Sequence, residues 1–335
     1  MTTYAGIDIG GTKCAVTIGR ASARRIDIID KKYFSTAPTA EETIELSIAE
    51  LDSLFEMYPE DRTKLSAIGV SCGGPLDSHR GLILSPPNLP HWESVDIVTP
   101  FRRRFGVPVG LQNDANACAL AEWQWGAGKG TRNMIFLTFG TGMGAGLIMD
   151  GRLYSGTNDN AGEVGHIRLA PSGPIGYNKA GSFEGYCSGG GIARLAQAEL
   201  RERMDAGIEL PDFMQPGDSL EQLSTRDIAE AARLGDPFAL RIFEEVGRNL
   251  GRGLAILIDI LNPEKVIIGS IYGRQRELLE PYMLEELRQE ALPNSLSVCE
   301  IVPAGLGEHV GDYAALSVAK TLHGIQAELH CVGEE

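Results

Sequence analysis

Several things are missing from this 335-residue chain, and each absence closes off a class of function. No apolar run is long enough to cross a bilayer, and the N-terminus has no signal-peptide-like apolar stretch, so no membrane partner is expected. No basic run occurs. Lys plus Arg number 30 against 45 Asp plus Glu, a formal net charge of -15, and a surface of that sign repels a phosphate backbone, so nucleic acid is not expected as a partner. The six cysteines (Cys14, Cys72, Cys118, Cys187, Cys299, Cys331) form no C-x-x-C pair and sit mostly in apolar surroundings. That pattern predicts reduced core thiols in a cytoplasmic protein. There is no short-period repeat and no low-complexity tract.

What is present is length for about two domains with a substantial core, and many glycines. The glycines cluster at 69–74, 126–130, 140–146 and 185–191, where they predict loops that let backbone approach a ligand. Tyr4–Ile9, Lys13–Gly19 and Ile26–Ser35 read as three successive strands, with Gly10-Gly11-Thr12 as the first turn. Thr39-Ala-Glu-Glu42 is a capping-box pattern for a helix that puts Ile44, Ile48, Leu51 and Phe55 on one face. Leu65–Cys72 is a strand ending at Gly73-Gly74-Pro75, and the proline-rich stretch 85–92 is a loop. A strand at 107–111 leads into a helix over 114–125. Met134–Phe139 and Gly144–Met149 form a second hairpin around Gly140-Thr141-Gly142-Met143, echoing the first and suggesting a duplicated αβ unit.

Further on, helices are expected over Ala193–Met204, after Ser224, over Pro237–Leu261 ahead of Asn262-Pro263, over Glu277–Ala291 and over Val310–Leu322. Strands are expected at Lys265–Gly269 and Ser297–Val302. Asp212–Leu220 reads as a mobile excursion, and the residues after Gly324 as a frayed end.

Asp114 stands where a strand ends and a helix begins. A carboxylate there has the helix's free N–H groups nearby and tends to stay ionised, as a general base must, although Asp is also a preferred N-cap. Asp8, with Gly10, Gly11, Thr12 and Lys13, forms a nest-like turn suited to phosphate oxygens, where Asp8 could hold a hydrated Mg²⁺. Thr138, Gly140, Thr141, Gly142 and Gly144 offer a second such turn. Gly140 to Ala145 loosely fits G-x-G-x-x-A, but a strand follows instead of a helix, which excludes a dinucleotide fingerprint. A Walker-type loop is also absent. Two facing Gly-Thr hairpins fit a nucleoside triphosphate held between two lobes. Glu163, His166, Glu184, Asn88, Asn113 and Asp114 together suit a polyol, whose hydroxyls pair with carboxylates and amides.

In order along the chain, Asp8-Ile-Gly-Gly-Thr-Lys13, Asn113-Asp114-Ala-Asn116 running to Gly130, and Thr138 to Gly146 resemble motifs of the ROK family (repressors, open reading frames, kinases). So do Ala161-Gly-Glu-Val-Gly-His166, Glu184-Gly-Tyr-Cys-Ser-Gly189 and Val266-Ile-Ile-Gly269. The resemblance covers nearly the whole chain. It implies an α/β chain with the two-lobed actin–Hsp70–hexokinase-like (ribonuclease H-like) duplicated domain and an interlobe cleft. The lobes are expected at 1–112 plus 308–330 and at 113–307. It also implies ATP with Mg²⁺, transfer of the γ-phosphoryl group to a hexose, usually at the 6-hydroxyl, and a homodimer. Carried over by position, Asp114 is the base. Gly74, Asn88, Asn113, Glu163, His166 and Glu184 hold the sugar. Asp8, Gly10, Gly11, Thr12, Lys13, Thr138, Gly140, Thr141 and Gly142 serve the phosphates and magnesium, and Gly269 lies near the adenosine.

One departure stands out. The family carries a zinc knuckle of one His and three Cys between its Gly-His and its second sugar-contacting Glu. Here Ile167 to Phe183 contains no cysteine, and Ser182 stands about where the last one belongs. His166 alone cannot hold tetrahedral zinc. The sequence therefore predicts no structural zinc and a loop fixed by packing, with Tyr177 and Phe183 in the metal's place. Three rival readings accompany the kinase. One is a sugar-responsive repressor, for which the eight residues up to Asp8 leave no room for a winged helix–turn–helix. Another is a sugar-binding protein of the same fold without turnover. The third is a kinase for an acetamido sugar such as N-acetylmannosamine or N-acetylglucosamine, against which Pro75 and Leu76 lean mildly because their side chains donate no hydrogen bonds.

Overall fold

A computed structural model of the chain describes residues 1–22, 25–214 and 219–332, with side chains through 326. The chain divides into two compact units. The first comprises Met1–Thr131, Gly146–Ala161 and Glu308–Glu335, and the second Arg132–Ala145 and Gly162–Gly307. These units are drawn differently from the lobes expected at 113, since the helix beginning at Asp114 packs within the first unit.

The first unit is built on a five-stranded sheet of β1 (Thr2–Ile9), β2 (Lys13–Ala21), β3 (Ile26–Ser35), β4 (Leu65–Cys72) and β5 (Val109–Asn113), in the order β3-β2-β1-β4-β5. β1 pairs antiparallel with β2 and parallel with β4, and β4 parallel with β5. Helix α1 (Ala40–Met57) opens with the expected capping box at Thr39 and Glu42 and buries Ile44, Leu51, Leu54 and Phe55. Helix α2 (Val98–Phe105) ends at left-handed Gly106, which absorbs the turn into β5. β5 therefore starts two residues later than the expected 107. Helix α3 (Asp114–Trp125) follows directly, and its alanines 115, 117, 119 and 121 are buried. A Cβ on Gly146 would collide with Ala119 and with the Ala115 carbonyl, so the small residues let α3 lie close to that backbone.

The C-terminal helix, Val310–Val332, lies against this sheet and continues past Gly324, where a frayed end was expected. Its seat is a row of glycines. Gly6 pairs with Gly69, and Gly69 with Gly110, across three neighbouring strands. A Cβ on Gly6 would sit 3.0 Å from Leu316 N, and one on Gly69 would sit 2.6 Å from Ala319 N while colliding with the Ala315 carbonyl. Only hydrogen at these positions admits the helix backbone.

The second sheet consists of β6 (Met134–Phe139), β7 (Met143–Met149), β8 (Arg152–Leu153), β9 (Lys265–Ile268) and β10 (Glu300–Pro303), in the order β8-β7-β6-β9-β10. Its winding repeats the first: antiparallel outer strands, then a parallel trio. The expected duplication of the αβ unit is present in the topology. Within the second unit lie α4 (Gly189–Asp205), α5 (Thr225–Arg233), α6 (Pro237–Leu261) and α7 (Arg276–Glu290). α4 starts four residues earlier than expected because Ser188 caps it, accepting from Gly191 N–H, so three glycines occupy its first turn. Asn262 ends α6 in the left-handed conformation. A short helix at Pro293–Leu296 delays β10 to Glu300. The excursion expected at Asp212–Leu220 falls partly outside the described residues. No described helix is long and apolar enough to cross a membrane.

The glycine seat gives a direct test. Gly69→Ala is expected to lower unfolding free energy by about 3 kcal/mol or more, because backbone rather than a flexible side chain opposes the new methyl. Gly74→Ala, whose Cβ would meet nothing within 4 Å, is expected to stay within about 0.5 kcal/mol. Urea denaturation of the two variants separates them, and equal effects would remove the seat from the account.

Candidate active site

The parallel register of the first sheet brings three strand ends together. Ile9 pairs with Cys72, and Cys72 with Asn113. The residues that follow (Gly10 to Lys13, Gly73 and Gly74, and Asp114) therefore leave the sheet from one carboxyl edge, where open α/β sheets bind ligands. Asp8 stands one residue before its strand's end. The turn after β1 is tied by the Thr36 hydroxyl, which donates to Gly10 O at 2.7 Å. Gly11 lies against the proline-rich loop. A Cβ there would stand 2.6 Å from Asn88 O, and one on Gly73 would stand 3.4 Å from Asn88 Oδ1. Asn88 is thus beside the turn after β1 and beside the Gly73-Gly74 corner.

The helix cap is Asn113 rather than Asp114. Asn113 Oδ1 accepts from Asn116 N–H at 2.7 Å, and Asp114 is the first helical residue, with its Oδ1 accepting from Ala115 N–H at 2.8 Å. Asn113 was expected to hold sugar. Its carbonyl oxygen is committed to the helix.

The electrostatics differ from the sequence expectation. Asp8 and Asp114 both reach solvent, yet protein atoms crowd them closely enough that desolvation dominates. Asp8 is pushed up to about 6. Crowding is the largest cause, Asp114 and Asp312 push the same way, and Lys31 pulls back. Asp114 is also raised by desolvation, against hydrogen bonds from the Ala115 amide and its own. A carboxylate held down by a helix N-terminus was expected, and crowding outweighs that effect. Sequence reasoning missed Lys31, the cation that pulls Asp8 back. Lys31 is ion-paired with Asp312. Lys13 and Lys31 lie 3.5 and 4.3 Å from the centroid of the Tyr33 ring. Only the alternation of β3 could have hinted at Lys31. Burial beside the carboxylates drives the Cys72 and Cys118 thiols upward, so they stay protonated and inert.

The second unit gathers the other residues. In the β6–β7 turn, Gly140 N–H donates to Gly142 O at 3.2 Å, and Gly144 N–H donates to Thr138 Oγ1 at 2.8 Å. Glu184 Oε2 accepts from Met143 N–H at 3.1 Å, tying this carboxylate to the β6–β7 turn. Gly189 N–H donates to Gly140 O at 2.7 Å. The segment Gly162 to His166 is strapped to β7: Gly162 adopts φ +94°, Ala145 N–H donates to Gly162 O at 2.8 Å, and a Cβ on Gly165 would meet Glu184 Cβ at 3.2 Å. Glu163 and His166 project from this strap, both exposed. Gly269 packs its α-carbon against the Phe136 ring, and Ser270 after it takes the strained φ 55°, ψ −110°, a feature no sequence signal announced. Thr141 is exposed at the tip of its turn.

The segment between His166 and Glu184 is fastened by protein groups. Ser182 donates to Gly176 O at 3.2 Å and accepts from Gly185 N–H at 3.1 Å. Tyr186 donates to Ser172 O at 3.1 Å, and Lys179 to His166 O at 2.6 Å. Phe183 is fully buried, with Gly253 of α6 making room for its ring. Tyr177 is exposed and meets the His166 ring edge-on at 5.8 Å. Among the described residues no group of three or more His, Cys, Asp or Glu could hold a metal ion.

The raised Asp8 has a consequence for stability. A folded value above the unfolded one makes protonation stabilising. That contribution is whole below the ordinary carboxylate value and is lost as pH rises through about 6. Asp8→Asn is therefore expected to raise the melting temperature at pH 7.5 by on the order of 2 °C and to leave it unchanged near pH 4. A scanning-calorimetry pair showing the opposite pH dependence would refute the crowding described here.

The model of the ROK family matches residues 4–321. The chain is 31% identical over 312 residues to a glucokinase of Halalkalibacterium halodurans, covering 92% of each. It is also 31% identical to a ROK family glucokinase from Streptomyces griseus solved with glucose and AMPPNP, with a TM-score of 0.72, covering 95% of this chain and 99% of that one. A DNA-binding transcriptional repressor, Mlc of Escherichia coli, is 30% identical over 247 residues, 73% of this chain and 58% of the repressor. With motifs, strand order and family match in agreement, the chain has the actin–hexokinase-like α/β fold and belongs to the ROK family.

Proposed function

We propose that this protein is an ATP-dependent sugar kinase that transfers the γ-phosphoryl group of MgATP to a hexose hydroxyl, the 6-hydroxyl foremost, with Asp114 as general base. The observation that carries the reading is the placement of Asp114 at the first position of α3, oriented by the Ala115 amide, on the same carboxyl edge of the sheet as the strand end that bears Asp8 and the Gly10-Gly11-Thr12 turn, with β4 between the two. The glucokinase relatives support the same reaction.

Phosphoryl transfer asks a protein mainly for positioning and charge stabilisation. In the proposed step the sugar oxygen attacks the γ-phosphorus, its proton passes to Asp114, and the bond to the β–γ bridging oxygen breaks to release ADP. A carboxylate with a raised pKa is the stronger base for this proton. Gly10, Gly11, Thr12 and Lys13, with Thr138, Gly140, Thr141 and Gly142, would hold phosphates, and Gly269 would face the adenosine. Asp8 fits a water-mediated Mg²⁺. It is one carboxylate beside a phosphate-type turn, carrying a charge that crowding and Asp114 both disfavour and that a divalent cation would favour. The cation would neutralise phosphate charge there. Gly74, Asn88, Asn113, Glu163, His166 and Glu184 would bind the sugar. With its oxygen capping α3, Asn113 would do so through Nδ2. The residues between His166 and Glu184 do not fit the family's zinc, since they contain no thiolate and Ser182 is engaged as a helix cap. A second reading, a sugar-binding protein without turnover, stays in view because one relative is named a DNA-binding transcriptional repressor and not a kinase.

A coupled ADP-release screen over glucose, mannose, fructose, allose, N-acetylglucosamine, N-acetylmannosamine and cellobiose decides between them. Turnover of one hexose is expected, whereas binding with no ADP from any sugar would establish the second reading. Asp114→Asn is expected to lower kcat by roughly 10²–10⁴-fold while sugar affinity stays within a few fold, and near-normal turnover would remove Asp114 from its role. The rate kcat/KM is expected to fall as pH drops through about 6, because Asp8 then takes up a proton. Elemental analysis of purified protein is expected to find no stoichiometric zinc, and chelators that spare Mg²⁺ to leave activity intact.

A further inference from the structure

The first unit carries an open recess of about 1830 Å³ that none of the residues assigned above to sugar or nucleotide lines. Its walls come from the loops at 78–81, 129–131 and 151–156, the start of α2, β5, the last turns of α3 and the C-terminal helix. The charge of this wall opposes that of the molecule. Arg80, Arg102, Lys129, Arg152 and Lys320 line it together with His79, and no Asp or Glu does among the described residues. The chain as a whole has 45 Asp plus Glu to 30 Lys plus Arg. A concavity lined by one sign concentrates field and draws in the opposite charge.

The floor is of a different kind. Val109, Leu111, Leu120, Val318 and Leu322 contribute apolar surface. Two aromatic residues flank it. Trp123 is held by its indole N–H donating to Thr131 O at 2.9 Å, and Tyr154 is 55% exposed. Lys320 stands between the two characters. It is half-buried, its Nζ lies 4.1 Å from the Trp125 ring centroid, and burial pulls its pKa down. A bound anion would reverse that pull. The combination of cations with an apolar and aromatic floor selects against a bare inorganic anion, which uses no floor, and against a neutral sugar, which uses no cations. The volume exceeds the roughly 300–1,000 Å³ of a compact ligand pocket, so an elongated ligand fits.

We propose that this recess binds a phosphorylated small molecule, an organic body bearing one or more phosphate groups, at a site distinct from the substrate residues. Hexose monophosphates and nucleoside diphosphates share this chemistry. Binding is itself the readout, so the proposal stands or falls independently of the kinase reading.

The test is calorimetric titration of the full chain with glucose 6-phosphate, ADP and inorganic phosphate in turn, at low and at physiological salt. The wild type is compared with Arg102→Glu/Lys320→Glu. At least one of the two esters is expected to bind the wild type and to lose about 10-fold or more in affinity in the double variant, with salt weakening it in the wild type. The ester that responds names the source. Any binding that survives the charge reversal belongs to the substrate residues. The proposal is overturned if neither ester binds tighter than about 10 mM, if the double variant binds both as the wild type does, or if inorganic phosphate binds as tightly as either ester. Should the double variant melt early, Arg102→Gln/Lys320→Gln replaces it with the same expectation.

Discussion

Three hydrogens hold the first unit in shape. Where Gly6, Gly69 and Gly110 sit side by side on adjacent strands, the absence of Cβ atoms lets the backbone of the C-terminal helix settle onto the sheet. At Gly6 and Gly69 the packing is rigid because helix backbone, which cannot yield as a side chain does, stands opposite, while Gly110 meets the Leu322 and Val318 side chains. The rigidity reaches the functional residues by short paths. Asp8 lies two residues beyond Gly6 on β1, and Asp114 four residues beyond Gly110 across the β5–α3 junction. The second unit uses the same device between helices: Gly247 and Gly251 on α6 admit the α7 backbone, and Gly253 admits the Phe183 ring. The segment bearing Glu184 is thereby anchored to the unit's longest helix.

On this frame the carboxyl edge of the first sheet carries more negative charge than its surroundings solvate. Asp114 and Asp312 both act on Asp8, with Lys31 as the near counter-charge, and crowding by protein atoms exceeds each of those effects. Such an arrangement works against stability at neutral pH, and it belongs to the class of perturbed sites that mark function. The cation-lined recess of the same unit shows the converse arrangement, positive charge gathered on a wall to which no described Asp or Glu contributes, although Asp77 lies within ion-pair distance of Arg80. In an acidic molecule both are departures from a mixed surface.

Much of this was legible in the sequence, for physical reasons that can be named. The first three strands and the helices at 40–57, 114–125 and 237–261 announce themselves by periodicity and by end signals such as Thr39 with Glu42 and Asn262 ahead of proline. The repeated Gly-Thr hairpin foretold a duplication that the matching strand orders display. Less legible was whatever depends on the third dimension. Gly106 gave no sign of capping a helix, because only its left-handed φ reveals the cap. Asp114 looked like a cap because one residue's shift cannot be read from composition. The upward push on the two carboxylates needs the count of atoms around them. The strain at Ser270, the pairing of Lys31 with Asp312 and the recess all arise between residues far apart in the chain, where no local pattern speaks.

The strap at Gly162 to Gly165 bears on how such a molecule could change its preferences over time. Main-chain bonds and close glycine contacts hold this ribbon to β7, and Glu163 and His166 stand exposed upon it. Much of the holding thus falls to backbone atoms. Under the proposed function, exchanging what is displayed would alter which hydroxyl pattern is welcomed while those backbone ties persist, and a lineage could drift from one carbohydrate to another by few replacements.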